Sequence, residues 1–376
     1  MKAGKLHPIV AAFINSSKLI TETLRGNDDG SELVAAALEI SSPRQDRTPE
    51  QLAEGLRRAA AVDLSKQDPC LAVIYLHLWA ASARAAGRRD EVAAIANLAR
   101  SLVSPDMPAE VRAEALGVEC RLAETNGDWT RSTELHKSIT EMLPWGSPRY
   151  VRSLSPWLMT LALTWRLDEH QAELSELASH PDFAANALLI RLMFLVETGR
   201  LEEAGAVHAE LAPRCPLVGL EALWNIYHGA HELMTRPPAP EEIVPANRGA
   251  ITTALLLRRP DRALEVARAQ AAGHFEIFLS YPEYFAFDLI RAELAAGNGE
   301  AARRLLAMRR ERNNVHPLDD LFLARAEALA GDWETAARHY AAATEAARRL
   351  RAEGRLEFEL RMALELAPGD LLRLMR

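Results

Sequence analysis

Gly297 and Gly331 stand 34 residues apart, and each separates two segments of apolar-periodic sequence: AELAAGNGEAARRLLAM around the first, AEALAGDWETAARHYAAA around the second. A recurring interval of this length marks a stacked repeat, in which one unit cannot bury its apolar side alone and needs its neighbours. Trp165 and Gly199 repeat the 34-residue interval, and Gly87, Gly127 and Trp165 follow one another at 40 and 38. Each unit reads as an amphipathic helix, a tight turn and a second helix folded back on the first. Glycine at the turn supplies the left-handed backbone that ends the first helix without a Cβ penalty. The aspartate that follows in Gly127-Asp128-Trp129 and Gly331-Asp332-Trp333 is placed to cap the second helix. Small residues early in the second helix (Ser132, Ala204, Ala302, Ala336) let the two helices approach closely, while Pro144, Pro181 and Pro216 close units that cannot continue as helix.

Between the turns, Ala, Leu, Arg and Glu dominate, with apolar residues three and four apart; no sustained period-two run bounded by hairpin turns occurs. The expected class is all-α. Hydrophobic residues at 49% and charged ones at 26% are values of a folded chain. The net charge of −8 disfavours a phosphate-backbone partner, which requires a positive surface. Cys70, Cys120 and Cys215 lie far apart with no paired spacing, so neither a disulfide framework nor a zinc site is expected. The short apolar stretch after Lys5 is interrupted by Pro8 and lacks a cleavage pattern, and no apolar run approaches the ~18 residues of a membrane span. A cytoplasmic protein is expected, and the dominance of Arg over Lys (only Lys2, Lys5, Lys18, Lys66 and Lys137) points to a GC-rich bacterial source.

The phrase Gly-Asp-Trp-x-x-Ala-x-x-x-Tyr at 331–340, the 34-residue period and the proline near the end of units together resemble the tetratricopeptide repeat. The resemblance covers about residues 69–350. The first-helix signature departs from the family: Leu323-Ala324 and Leu289-Ile290 stand where it prefers Leu-Gly, and Leu116 or Leu188 where it places an early Trp. What the resemblance implies is a right-handed superhelical solenoid of helix-turn-helix repeats, closed by N- and C-terminal capping helices. The expected division is capping helices over 1–66, a first array over 67–234, a Pro-rich break or insertion over 235–246, a second array over 247–350, and a capping helix and tail over 351–376.

No phosphate loop, nucleophile elbow, HExxH or kinase signature is present, and Gly297-Asn298-Gly299 reads as a repeat turn. His228 and His231 share one helix face, but no third metal ligand is visible in the sequence. No enzyme, cofactor or metal is therefore expected. The run Arg303, Arg304, Arg309, Arg310, Arg312 reads as a solvated helix face. The stretch FEIFLSYPEYFAF, residues 275–287, holds four of the nine Phe and two of the six Tyr, and reads either as filler of a wide gap between helices or as a set of binding anchors. The tetratricopeptide register, in which certain first-helix positions face a concave groove, implies Tyr284, Phe287 and Arg291 from one unit, Leu321 and Arg325 from the next, and Arg121 from an earlier one. An arginine row there would suit a carboxylate or phosphate. The expectation is a non-catalytic adaptor that binds a protein or peptide in its groove. The alternative is the sensor domain of a bacterial transcription activator, binding a small-molecule inducer or an intramolecular partner.

Overall fold

The computed structural model describes residues 6–16, 18, 20–27, 31–41, 49–214, 221–236, 238, 249–282 and 284–374. Every regular element among them is helical, and no strand occurs among the described residues. The chain divides into two compact units, Met1–Trp157 and Leu158–Arg376. The division falls within the helix Pro148–Leu163, next to Pro156, whose ring removes a backbone donor from the helix interior. The Pro-rich stretch 235–246 and Pro216 lie almost entirely outside the described residues.

In the first unit, short helices at Pro8–Ile14, Ile20–Gly26, Glu32–Ser41 and Pro49–Ala61 precede two helix pairs, Pro69–Ala85 with Arg89–Leu102 and Ala109–Thr125 with Trp129–Met142. The members of each pair pack on each other, and Pro69–Ala85 also packs on Ala109–Thr125, so first helices meet first helices. In the second unit the pairs are Ala184–Glu197 with Leu201–Leu211, Ala250–Leu256 with Pro260–Ser280, Asp288–Ala295 with Gly299–Arg310, and Asp319–Leu329 with Trp333–Arg349. Glu221–Thr235 stands between the first two of these, and Glu353–Arg361 and Pro368–Leu374 end the chain.

The turns carry the backbone state that the glycine spacing demands. Gly87, Gly127, Gly199, Gly297 and Gly331 all have φ between 72° and 81°, and Trp165 adopts the same region at 63°. Each is followed by the same reach back: the next residue's N–H binds the carbonyl five positions earlier, as Asp128 to Ala123 at 2.9 Å and Asp332 to Glu327 at 3.0 Å. This pattern satisfies carbonyls that the helix end would otherwise leave unpaired. The second helices are then capped from the side: the carboxylates of Asp128 and Asp332 accept from the N–H of Arg131 and Thr335. Ser132, Ala204, Ala302 and Ala336, the small residues one turn further on, are completely buried. Arg258 is a further left-handed residue, φ 60°, and Pro260 starts the next helix, where a missing N–H costs nothing.

Two glycines of equal backbone state sit in different surroundings. Nothing lies within 4 Å of where a Cβ on Gly331 would point, whereas a Cβ on Gly199 would collide with the backbone nitrogen of Arg355. Gly331→Ala is expected to cost about 1–2 kcal/mol, the strain of the left-handed backbone alone. Gly199→Ala is expected to cost about 3 kcal/mol or more, since backbone must also move. Urea midpoints of the two variants check the difference; equal losses would remove the Gly199 contact from the account.

Candidate site: a buried arginine–carboxylate chain

Arg291 lies on the helix Asp288–Ala295 and is completely buried. Its guanidinium grips the carboxylate of Glu359 in a two-pronged pair, Nε to Oε2 at 2.9 Å and Nη2 to Oε1 at 2.6 Å, and its Nη1 donates to Asp288 Oδ1 at 2.6 Å. Thr252, from the preceding first helix, donates its hydroxyl to the same Asp288 oxygen at 3.2 Å. On the other side, Glu359 Oε1 accepts from Arg355 Nε at 3.0 Å, and Arg355 Nη1 lies 3.6 Å from Glu197 Oε2. Tyr227 closes the row by donating its hydroxyl to Glu197 at 3.2 Å. The polar chain Thr252, Asp288, Arg291, Glu359, Arg355, Glu197, Tyr227 thus ties four helices of the second unit to the C-terminal helix Glu353–Arg361, with all seven residues buried.

A charge moved from water into such an interior is tolerated only when paired and hydrogen-bonded. Burial works to raise Glu359, but the charges of Arg291, Arg355 and Arg325 outweigh it and hold its carboxyl below the ordinary value. Asp288 goes the other way: burial pushes it up to about 6, with Arg291 offsetting only part of the cost.

Arg325 is also completely buried, 34 residues after Arg291 on the next first helix. It holds Glu365 by the same two-pronged geometry, at 2.5 and 2.9 Å. Leu321 and Phe287 are fully enclosed beside it. Phe287 is the hub of this part of the core: Phe322 lies 5.3 Å away, His316 4.9 Å, and the Arg309 guanidinium 4.4 Å over the ring. Arg309 donates to the carbonyls of Phe278 and Tyr281, and Asn314 donates to that of Leu279. The helix Pro260–Ser280 stops here, and a 3-10 turn, Tyr284–Phe287, delivers Phe287 to the interior. The side chain of Tyr284 lies outside the described residues.

Around the same ring several polar atoms have no protein partner among the described residues: Arg309 Nε and Nη2, His316 Nε2, Trp165 Nε1 and Asp319 Oδ1. His316 Nδ1 accepts from the N–H of Leu318 at 3.1 Å. Burial, reinforced by the positive charges of Arg309, Arg355 and Arg291, holds its imidazole far below its usual range, so it is neutral. Burial pushes Asp319 up to about 6.

In the first unit, Arg121 is half-buried and donates to Glu124 at 2.9 Å. Glu124 is buried and also lies near Arg84, Ser132 and His136. Successive first helices meet through His77 Nδ1 and the Glu114 carboxylate, which are in hydrogen-bond contact; Gly117 leaves room for the imidazole, since a Cβ there would lie 2.8 Å from His77 Cε1. Arg149 donates to the Phe13 carbonyl at 2.8 Å and stacks on the Phe13 ring, so a helix from the N-terminal segment covers it.

His228 and His231 do meet a third imidazole, which spacing along one helix could not reveal. His208, on Leu201–Leu211, stacks on both and on Trp224, and its Nε2 lies 2.8 Å from His228 Nδ1. Stacked rings do not converge their nitrogens on one point, and no group of His, Cys, Asp and Glu among the described residues is arranged to hold a metal ion. No helix of the described residues is long and apolar enough to cross a membrane.

The expected groove residues are therefore placed as follows. Phe287, Arg291, Leu321 and Arg325 are all enclosed in the interior and not on an open surface; the C-terminal segment covers Arg291 and Arg325, and Arg309, His316 and Phe322 surround Phe287. Arg121 belongs to a separate cluster in the first unit. The run 303–312 is only partly a solvated face, since Arg309 is completely buried while Arg304 and Arg310 are exposed. Glu359, Glu365, Arg355 and Glu197 were not anticipated; the local sequence EGRLEFELR around two of them reads as an ordinary charged helix and gives no sign of burial. Compared with models of protein families the chain matches none, and no curated protein matches it.

Removing one member of the Arg291–Glu359 pair strands the other, so Glu359→Gln and Arg291→Met are each expected to destabilise by about 3–5 kcal/mol. The double variant should lose less than the sum, with a coupling of about 1–3 kcal/mol. Additive losses in urea denaturation would show that the two groups do not act together.

The pH dependence isolates His316. With its folded pKa depressed and an unfolded value near 6.5, it contributes stability that is present above about 6.5 and lost as pH falls. Asp288 and Asp319 act oppositely between their ordinary range and about 6, where the folded state binds the proton more tightly. They are common to wild type and His316→Asn, so their effect cancels in the comparison. Between about pH 6.5 and 5.5 the wild type should lose about 1 kcal/mol more stability than the variant. Parallel curves would mean that the fold does not shift the titration of His316.

Proposed function

We propose that this chain is a non-catalytic, tetratricopeptide-like recognition scaffold whose helix pairs stack within each unit as in a right-handed solenoid, and which binds a helical segment of a protein through its carboxylates. One observation carries the reading: Arg291 and Arg325, at equivalent places 34 residues apart on successive first helices, each hold a carboxylate of one short segment, here the chain's own residues 353–365, a helix to Arg361 and the turn after it. Planar guanidinium forks suit such carboxylates, and buried two-pronged pairs add specificity of register. Nothing in this arrangement pairs a nucleophile with a base, so the chemistry on offer is recognition.

A second reading, a bacterial regulator that senses a small anionic inducer, draws on Arg309, His316 and Trp165, whose partnerless donors surround Phe287. One pair of measurements separates the two. Crosslinking and affinity capture on the full chain should recover a protein partner, with capture reduced at least about tenfold by Arg325→Ala, the loss of one buried charge-assisted pair. A panel of small carboxylates and phosphates should leave the melting temperature unchanged. A saturable shift with one of them and no captured protein would overturn the scaffold reading in favour of the sensor.

A further inference from the structure

Segment 353–365 meets the second unit in a way that differs from the contacts among the helix pairs. Its neighbour in sequence, Trp333–Arg349, is its principal packing partner, and it reaches the first helices mostly through long charged side chains. Three features define the seat. Gly354 lies so close to Gly199 that neither position has room for a Cβ. Glu359 meets Arg291 and Arg355, and six residues on Glu365 meets Arg325. Between them Phe358 and Met362 are buried. The segment is joined to the preceding helix by one turn, with exposed Arg351 in the left-handed region at φ 53°.

We infer that this face is an interaction surface for an acidic segment of another protein with the pattern Gly-x-x-x-x-Glu-x-x-x-x-x-Glu, helical through the first Glu and turning before the second as residues 353–365 do, and that residues 353–374 are a latch which that segment displaces. The inference rests on the scaffold reading and deepens it. Charge complementarity identifies the occupant: the face presents Arg291 and Arg325 at a fixed offset, each a fork for one carboxylate, with an apolar strip between and a glycine-sized gap at one end. The same charges make displacement feasible. Opening an apolar seat exposes hydrocarbon to water, whereas opening an ion-paired one returns well-hydrated guanidinium and carboxylate groups to solvent, recovering the desolvation cost of their burial. An incoming segment that supplies the same carboxylates and apolar side chains leaves the pairing in the complex unchanged, so competition turns on concentration and on the tether.

Two measurements on the full chain test this. In native-state hydrogen exchange of the wild type, amides of 353–374 should exchange at least tenfold faster than those of Asp288–Ala295 and Asp319–Leu329, as a separate opening. The second uses a fluorescent synthetic peptide of residues 351–376, added in trans. At equal peptide concentration, uptake should be at least tenfold greater by Glu365→Gln, whose own latch is weakened, than by wild type. Uptake should be lost when the peptide carries E359Q and E365Q. Should the variant fail to fold, the exchange measurement on the wild type still decides. Exchange of 353–374 only with the whole unit, or no uptake by a folded Glu365→Gln, would overturn the proposal. A concentration-dependent dimer of the variant without peptide uptake would also overturn it, assigning the face to a second copy. Failure here with a captured partner elsewhere would leave the scaffold reading intact; peptide uptake with no captured protein would leave the latch and remove the scaffold.

Discussion

Burying Arg291 commits much of the second unit. A guanidinium without exposure requires acceptors arranged in its plane, and the chain supplies them from two distant places, Asp288 one turn away on the same helix and Glu359 on the C-terminal helix. Glu359 in turn requires Arg355, and Arg355 sits against Glu197, whose other oxygen takes the hydroxyl of Tyr227. Each charge is tolerable only because the next is present. Such a chain adds little net stability over a well-packed apolar interior, but it specifies register sharply, since a shift of one helical turn would strand several charges. The close approach of Gly199 and Gly354 fixes the start of the same helix by shape where the ion pairs fix it by charge.

Phe287 and its surroundings serve a different requirement. The run of aromatics at 275–287 divides where a helix ends, and the carbonyls of that break are taken by Arg309, on the second helix of the next pair, and by Asn314 just beyond it. Arg309 does this while stacked on Phe287, so one side chain satisfies backbone acceptors with its edge and covers an aromatic ring with its face. Filling a gap between helices and organising a polar interior are here the work of the same residues. In the first unit the same economy recurs in smaller form, with Glu124 gathering Arg84, Arg121, Ser132 and His136.

Much of the local architecture could be read from the chain. The left-handed turns at Gly87, Gly127, Gly199, Gly297 and Gly331, the aspartate caps at 128 and 332 and the buried small residues of the second helices depend on interactions within a few residues, and short-range rules suffice for them. Trp165 and Arg258 show where those rules thin out: both occupy a backbone state that their Cβ disfavours, held by the reach-back hydrogen bonds of the turn and by what packs around them. The arginines at 291 and 325 could be singled out, but as groove residues for a ligand; in the fold each holds a carboxylate of the chain itself, Glu359 and Glu365.

What the amino-acid sequence determined by itself was the sequence of helices and turns, because a glycine's freedom, a cap and a 3.6-residue apolar period act over one or two turns of chain. What only the tertiary structure decided was who meets whom. Glu359 stands 68 residues from Arg291 and Glu365 stands 40 from Arg325, and no periodicity links positions so far apart when one of them lies beyond the last helix pair. Whether a row of arginines faces water or is sealed in the interior depends on where a terminal helix comes to rest. That position is set by the sum of many pairings in three dimensions, which is why the charges that looked like an open surface along the chain became the interior of the fold.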